Sequence, residues 1–208
     1  MRKLTSSDLK ELGLLKHYRI IRKWACKTNN LNDAELELLI YLDAIDMFTK
    51  DDFILTNSST NQINFNIIPS QQLIILNQLQ NISDILKNSL QQFIKGGGHL
   101  LIIPANNIDI SSYNTFLKIF NKGSIRKNSI DTLKITDINF EHPIFNNVFS
   151  KKVTNFQYPF VTQFYNHNFS GSTILSFQNK SSFLKEINNS FSKIYFFSSP
   201  LDKKSTNF

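Results

Sequence analysis

Catalysis needs nucleophiles, bases and ligands brought together, so those residue types come first. The chain has one cysteine, Cys26, and four histidines, His17, His99, His142 and His167. Cys26 falls in a stretch of helical spacing and reads as a small packed residue rather than a reactive thiol. A single cysteine also excludes an internal disulfide and any cysteine-rich zinc or iron–sulfur site. No two histidines have metal-ligand spacing. His17 lies on an expected helix, His99 opens an expected strand, and His167 lies in an Asn-rich stretch read as a loop. His142 precedes Pro143, and its only near carboxylate in sequence is Glu141. Neighbours in an extended segment point to opposite sides, so this pair reads as a structural turn. Gly96-Gly97-Gly98 precedes a strand and lacks the GxxxxGKS/T and GxGxxG contexts. It reads as a helix terminator, not a phosphate cradle. Tyr158, Phe160, Phe164 and Tyr165 around Pro159 read as core packing, with a protein-binding patch as the alternative. No catalytic residue, cofactor site or metal site emerges from this set.

The elements that would position these residues follow from pattern. With 208 residues, 41% hydrophobic and 19% charged, the chain can bury a sizeable core. No apolar run approaches the roughly 18 residues of a membrane-spanning helix, and no secretory signal is visible at the N-terminus. As written, the chain is expected to be cytoplasmic. Asn is abundant, as in an A/T-rich genome. The net charge of +7 is unevenly placed: residues 1–30 hold 8 basic and 2 acidic groups, residues 31–53 hold 1 and 7, and the rest 14 and 7. That diffuse excess favours solubility over a nucleic-acid groove.

Composition changes near Asp52, and residues 54–63 read as a linker between segments 1–53 and 64–208. In the first segment Leu9 to Lys27 has helical spacing, and a second helix starts after Asn32. Arg19, Arg22, Lys23 and Lys27 are candidate DNA phosphate contacts, although a solvated helix face explains them as well. In the second segment Gln72–Asn77 is a short apolar run suited to a buried strand. Ser83 then caps a helix to Lys95, with Ile82, Ile85, Leu86, Leu90, Phe93 and Ile94 as its apolar stripe. His99–Ile103 is a second buried strand, and together these form a parallel βαβ unit. A helix over Tyr113–Phe120, capped by Ser111 or Ser112, follows. Further strands are expected at Thr132–Ile135, Thr173–Phe177 and Lys193–Ser198, with a turn at Asn188-Asn189-Ser190.

Two resemblances attach to these residues. Leu15–Cys26 and Leu31–Leu42 resemble the N-terminal part of MarR-like winged-helix proteins. The recognition helix and basic wing of that family are missing here, so DNA is a possible partner without its reading head. Residues 64–208 resemble the class I glutamine-amidotransferase-like domain of Bacteroidetes BatA-type (aerotolerance) proteins. The residues that carry the likeness are Leu73–Asn77, Leu90–Pro104, Glu141–Phe145 and Lys193–Leu201. This implies an α/β fold, a flavodoxin-like parallel sheet flanked by helices. It also implies protein partners in an envelope assembly, and a periplasmic or membrane-associated location if the parent protein is anchored. Class I amidotransferases place a Cys nucleophile on a strand-to-helix elbow and a His after the last strand. The corresponding positions read Ile103-Pro104-Ala105-Asn106-Asn107 and Ser199-Pro200-Leu201-Asp202, so the expected domain is non-catalytic. Its cleft edge would be formed by Asn77, Pro104, Asn106, Asn107, Ser198 and Ser199. Two incomplete family patterns meeting near Asp52 suggest a chimera.

Overall fold

A computed structural model of the chain describes residues 56–146, 148 and 158–207. These fall almost wholly within one compact unit, Ser58–Phe208. The helices expected before Asp52, with Arg19, Arg22, Lys23 and Lys27, lie outside the described residues.

A short 3-10 turn, Phe65–Ser70, leads into β1 (Leu73–Asn77). Helix α1 (Asp84–Lys95) starts where the Ser83 hydroxyl accepts from the Leu86 amide, 3.4 Å away. Asp84 lies in its first turn and Lys95 in its last, each complementing the helix dipole. The helix stops in a Schellman arrangement. The Gly98 amide reaches back to the Phe93 carbonyl (3.0 Å) and the Gly97 amide to that of Ile94 (3.1 Å). Gly97 takes φ +97°, a conformation that favours glycine. Then come β2 (His99–Ile103) and α2 (Ile110–Leu117). The cap of α2 is Asp109, not Ser111 or Ser112: its Oδ1 accepts from both serine amides, at 3.0 and 3.1 Å. Ser112 is committed elsewhere, its hydroxyl bonded to the Ile82 backbone on both N and O. The expected helix to Phe120 therefore starts and ends earlier, and Lys118–Phe120 tightens into a 3-10 turn.

The remaining strands are β3 (Ile125–Ile138), β4 (Phe160–His167), β5 (Ser172–Phe177), β6 (Ser182–Asn189) and β7 (Ser192–Phe197). They complete a seven-stranded sheet in the order β1-β2-β7-β6-β5-β3-β4. The α/β class stands, but the sheet is mixed. Only β1, β2 and β7 run parallel. The links β5–β6 and β6–β7 are too short for a crossover helix, so those pairs are antiparallel. Strand β3 is far longer than the expected Thr132–Ile135. Its first part pairs with β4 and its end with β5, with register shifts between Ile130 and Leu133 and between Ile135 and Asp137.

Two cores form. In the first, α1 and α2 pack Leu86, Leu90, Phe93, Ile94, Tyr113 and Phe116 on Leu76, Leu100, Ile102, Ile194 and Phe196. Side chains buried as fully as Leu90 and Ile94 stabilise the fold by roughly 1.5–3 kcal/mol each. Ile85, expected on the same stripe, is 66% exposed instead. The second core joins Leu133, Ile135, Val161, Phe164, Ile174, Phe177, Phe183 and Leu184. Phe164 and Tyr165 are thus core residues, while Tyr158 is exposed. Among the described residues no helix is long and apolar enough to cross a membrane.

Candidate functional site

The three parallel strands end at Asn77, Ile103 and Phe197, which places the candidate cleft at their C-terminal edge. The residues after them are mostly covered. Pro104, Ser198 and Ser199 are buried, Asn77 and Asn106 are half-buried, and Asn107 is exposed. What covers them is β4 and the segment that follows β7. The Tyr165 amide donates to the Ser198 carbonyl (2.6 Å), and the Thr162 amide to that of Ser205 (2.8 Å). An isolated bridge joins Val161 to Thr206. The last described residues therefore run along β4 like a short extra strand.

This cover is hydrogen-bonded into the turn after β2. The Asn106 amide Nδ2 donates to Asp202 Oδ2 (2.6 Å), and the Ser205 hydroxyl donates to Asn106 Oδ1 (2.5 Å). Asp202 Oδ1 in turn accepts from the amides of Lys204 and Ser205. The Asn106 carbonyl accepts from Gln163 Nε2 and, at 3.4 Å, from Asn128 Nδ2. The Tyr165 hydroxyl lies 2.9 Å from both the Ala105 and Asn106 carbonyls and accepts from the Ile108 amide at 3.1 Å. Burial pushes its pKa up, so it stays a neutral donor. The Ser199 hydroxyl is spent on the carbonyls of Gln163 and Pro200. Of the six expected cleft residues the structure thus links Asn106 and Ser199 through Gln163, and brings Ser198 to the same edge. No side-chain bond ties Asn77 or Asn107 into it.

A hydroxyl–imidazole pair does occur at this edge. His167 Nε2 lies 3.1 Å from Ser198 Oγ. His167 is not in a loop, as the Asn-rich context suggests, but ends β4. Its ring stacks on Phe169 at 4.8 Å and meets Phe196 edge-on at 5.4 Å. The polarity of the pair is wrong for a nucleophile. The Phe169 amide donates to His167 Nδ1 (3.4 Å), which leaves the ring proton on Nε2. The Ser198 hydroxyl donates to the Ser182 carbonyl at 2.6 Å. Imidazole is therefore the donor and serine the acceptor; a general base needs the reverse. Burial first, then the Lys185 charge, lowers the His167 pKa to about 4, opposed by the Ser182 carbonyl. Lys185 donates to Thr173 Oγ1 (3.0 Å), and its own pKa is lowered by burial. No carboxylate among the described residues orients this histidine.

The second polar cluster lies under the other core. His142 is a turn residue as expected, its Nδ1 accepting from the Ile144 amide (3.3 Å) at the start of the 3-10 turn Pro143–Phe145. Its carboxylate partner is not Glu141 but Glu186 of β6, with Nε2 3.5 Å from Oε2. Both residues are at most 5% exposed. Lys193 donates to the same Oε2 at 3.0 Å. Burial drives the Glu186 pKa up, but Lys193, Tyr195 and His142 together outweigh it and hold the carboxylate below its usual range. Burial and the Glu186 charge push Tyr195 up to about 12. This network pins the 139–145 segment onto β6 and β7.

Comparison with known proteins agrees with this topology. No protein-family model and no curated protein matches the chain. Among solved structures, a protein from Bacteroides uniformis described as ThuA-like is 12% identical, with a TM-score of 0.55 over 83% of this chain and 78% of that one. Two cytoplasmic proteins of Salmonella typhimurium are 16% and 14% identical, both with TM-scores of 0.52. They align over 72% and 67% of this chain and 67% and 64% of theirs. The fold is amidotransferase-like.

In amidotransferase-like terms, the elbow after β2 holds Asn106 with both ends of its amide occupied, and Asp202 stands after the last strand. Half-buried Gln163 and the distant Ser205 gave no local signal in the sequence, and Tyr165 read only as part of an aromatic cluster, as core packing or a protein-binding patch. Only the fold brings Tyr165 to Ala105 and Ser205 to Asn106.

Proposed function

We propose that residues 58–208 form a non-catalytic amidotransferase-like domain that works by binding a protein partner. The observation that carries this reading is the elbow itself. Its Asn106 side chain is held by Asp202 and Ser205, and the chain's own last residues occupy the edge where substrate would enter. The serine–histidine pair nearby, a buried serine and a half-buried histidine, donates in the non-catalytic direction. Hydrogen bonding of this kind supports a scaffold, because the side chains of Asn106, Asp202, Ser198 and Ser199 already have internal partners. The likeness of Leu90–Pro104 and Glu141–Phe145 to BatA-type proteins supports an assembly role in an envelope complex.

The test is turnover. The full-length chain is assayed against glutamine and a panel of activated esters, alongside Ser198→Ala and His167→Gln. The expected result is no hydrolysis above buffer and no difference among the three. Hydrolysis that is abolished by Ser198→Ala would overturn the reading.

A further inference from the structure

The two edges of the sheet are finished differently. Outside β4 lies the segment that follows β7, bonded to it from Ser198 to Asn207. Outside β1, among the described residues, no strand pairs. The bonds at the two ends of β1 fix which groups face that edge. The Gln72 carbonyl accepts from the His99 amide at 2.9 Å, and the Gln78 amide donates to the Ile103 carbonyl at 2.8 Å. Backbone direction alternates along a strand, so Gln72, Ile74, Leu76 and Gln78 turn their amides and carbonyls to β2. Leu73, Ile75 and Asn77 turn theirs outward, each with one donor and one acceptor and no partner for them among the described residues.

Strand β1 lacks most of the devices that blunt a sheet edge. Its register with β2 runs from Leu73 to Asn77 without a bulge. It contains no proline, and no Lys, Arg, Asp or Glu occurs between Asp52 and Asp84. Shortness is the one such device it has. The side chains beside the open backbone groups are apolar. Leu73 is 48% exposed and Ile75 half-buried, and neither belongs to a core. Both lie on the face turned away from Ile74 and Leu76, which pack in the first core.

We propose that β1 is a docking edge, at which an extended, uncharged segment of a partner protein adds to the sheet as a further strand. This deepens the proposed binding role and rests on it. Backbone chemistry selects the occupant. A row of alternating amides and carbonyls is matched in spacing by another strand, not by a helix, whose groups bond to one another. Charge sets the composition of that strand. A charged side chain laid along β1 would meet no opposite charge on the strand or on the residues leading to and from it. Apolar residues at alternate positions would instead lie beside Leu73 and Ile75. A segment of about five residues spans the outward groups from Leu73 to Asn77, so the contact is short and weak.

The test uses the isotope-labelled full-length chain, with amide hydrogen exchange read by NMR. In the free chain the amides of Leu73, Ile75 and Asn77 should exchange about tenfold or more faster than those of Ile74 and Leu76. The probe is a capped peptide of alternating threonine and valine, uncharged and strand-forming. At millimolar concentration it should slow exchange of the three outward amides several-fold. The same peptide N-methylated at every amide should have no effect. Ile75→Pro removes an outward donor and leaves the bonds to β2 in place, so it should weaken the response several-fold while Ile74 and Leu76 stay protected. Protection of the outward amides in the free chain would show the edge already filled, by the chain itself or, where protection rises with concentration, by a second copy. Either result would overturn the proposal. So would a probe without effect, an equal effect of the methylated probe, or an Ile75→Pro chain that responds as the parent does. None of these outcomes touches the non-catalytic reading, which falls to turnover alone.

Discussion

Tyr165→Phe removes one oxygen and tests the elbow plug directly. That hydroxyl accepts from the Ile108 amide and serves the Ala105 and Asn106 carbonyls. The Asn106 carbonyl keeps Gln163 and Asn128 as donors, so it is not orphaned. The Ile108 amide and the Ala105 carbonyl are left without this partner, and both residues are buried. Each stranded group costs about 1–3 kcal/mol, so the substitution should cost roughly 2–4 kcal/mol. With a urea dependence of about 2 kcal/mol per molar, the midpoint should fall by about 1–2 M. Hydrogen exchange gives the local readout, since the Ile108 amide should lose protection more than the amides of α1. A midpoint shift under about 0.3 M, or an unchanged Ile108 amide, would refute the argument that this hydroxyl holds the turn.

Acid sensitivity should trace partly to His167. Its folded pKa of about 4 lies below the ordinary histidine value of 6.5, so its contribution is full above pH 6.5 and is lost as pH falls toward 4. The loss should approach about 3 kcal/mol, and His167→Gln, which keeps a donor for Ser198, should flatten urea midpoints measured across that window. Glu186→Ala leaves His142 and Lys193 facing a buried gap. It should cost about 2–4 kcal/mol, less than a fully enclosed pair because Lys193 can turn to water, and thermal melts will show it. Gly171→Ala should destabilise far more than Gly96→Ala. At Gly171 the φ is +130° and an added Cβ would lie 2.1 Å from the Glu186 carbonyl, whereas at Gly96 the nearest atom is 3.4 Å away. Similar midpoints for the two variants would contradict that geometry.

The parallel centre was legible because its strands are short and apolar, although in β1 only Leu76 is fully buried. Leu73–Leu76 and His99–Ile103 are unbroken apolar runs, and the Ser83 cap and Gly96–Gly98 stop bracket the helix between them. The antiparallel half hides for physical reasons. In β3 three register shifts change which side chains face inward, so Ile125–Ile138 shows no simple alternation. In β6 the pattern is broken by Glu186, a charge on a buried position, and its partners lie 44 residues before and 7 and 9 after it in sequence. The positions of the cleft followed from strand ends, which is why Pro104, Asn106, Ser198 and Ser199 all fall at one edge. That the edge is closed did not, because the closing residues Tyr165 and Ser205 bond to a turn 57 and 99 residues away.

Of the described strands β7 is made last, and it sits third in the sheet, between β2 and β6. Until Phe197 has left the ribosome, β2 has an open flank and the two halves of the sheet share no strand pairing across that gap. The nascent chain therefore carries an apolar edge, Leu100 to Ile102, for about 90 residues of synthesis, some 5–20 s at ordinary elongation rates. Closure of so long a loop makes folding slow and late. During that interval the open edge of β2 is a template on which another chain could pair.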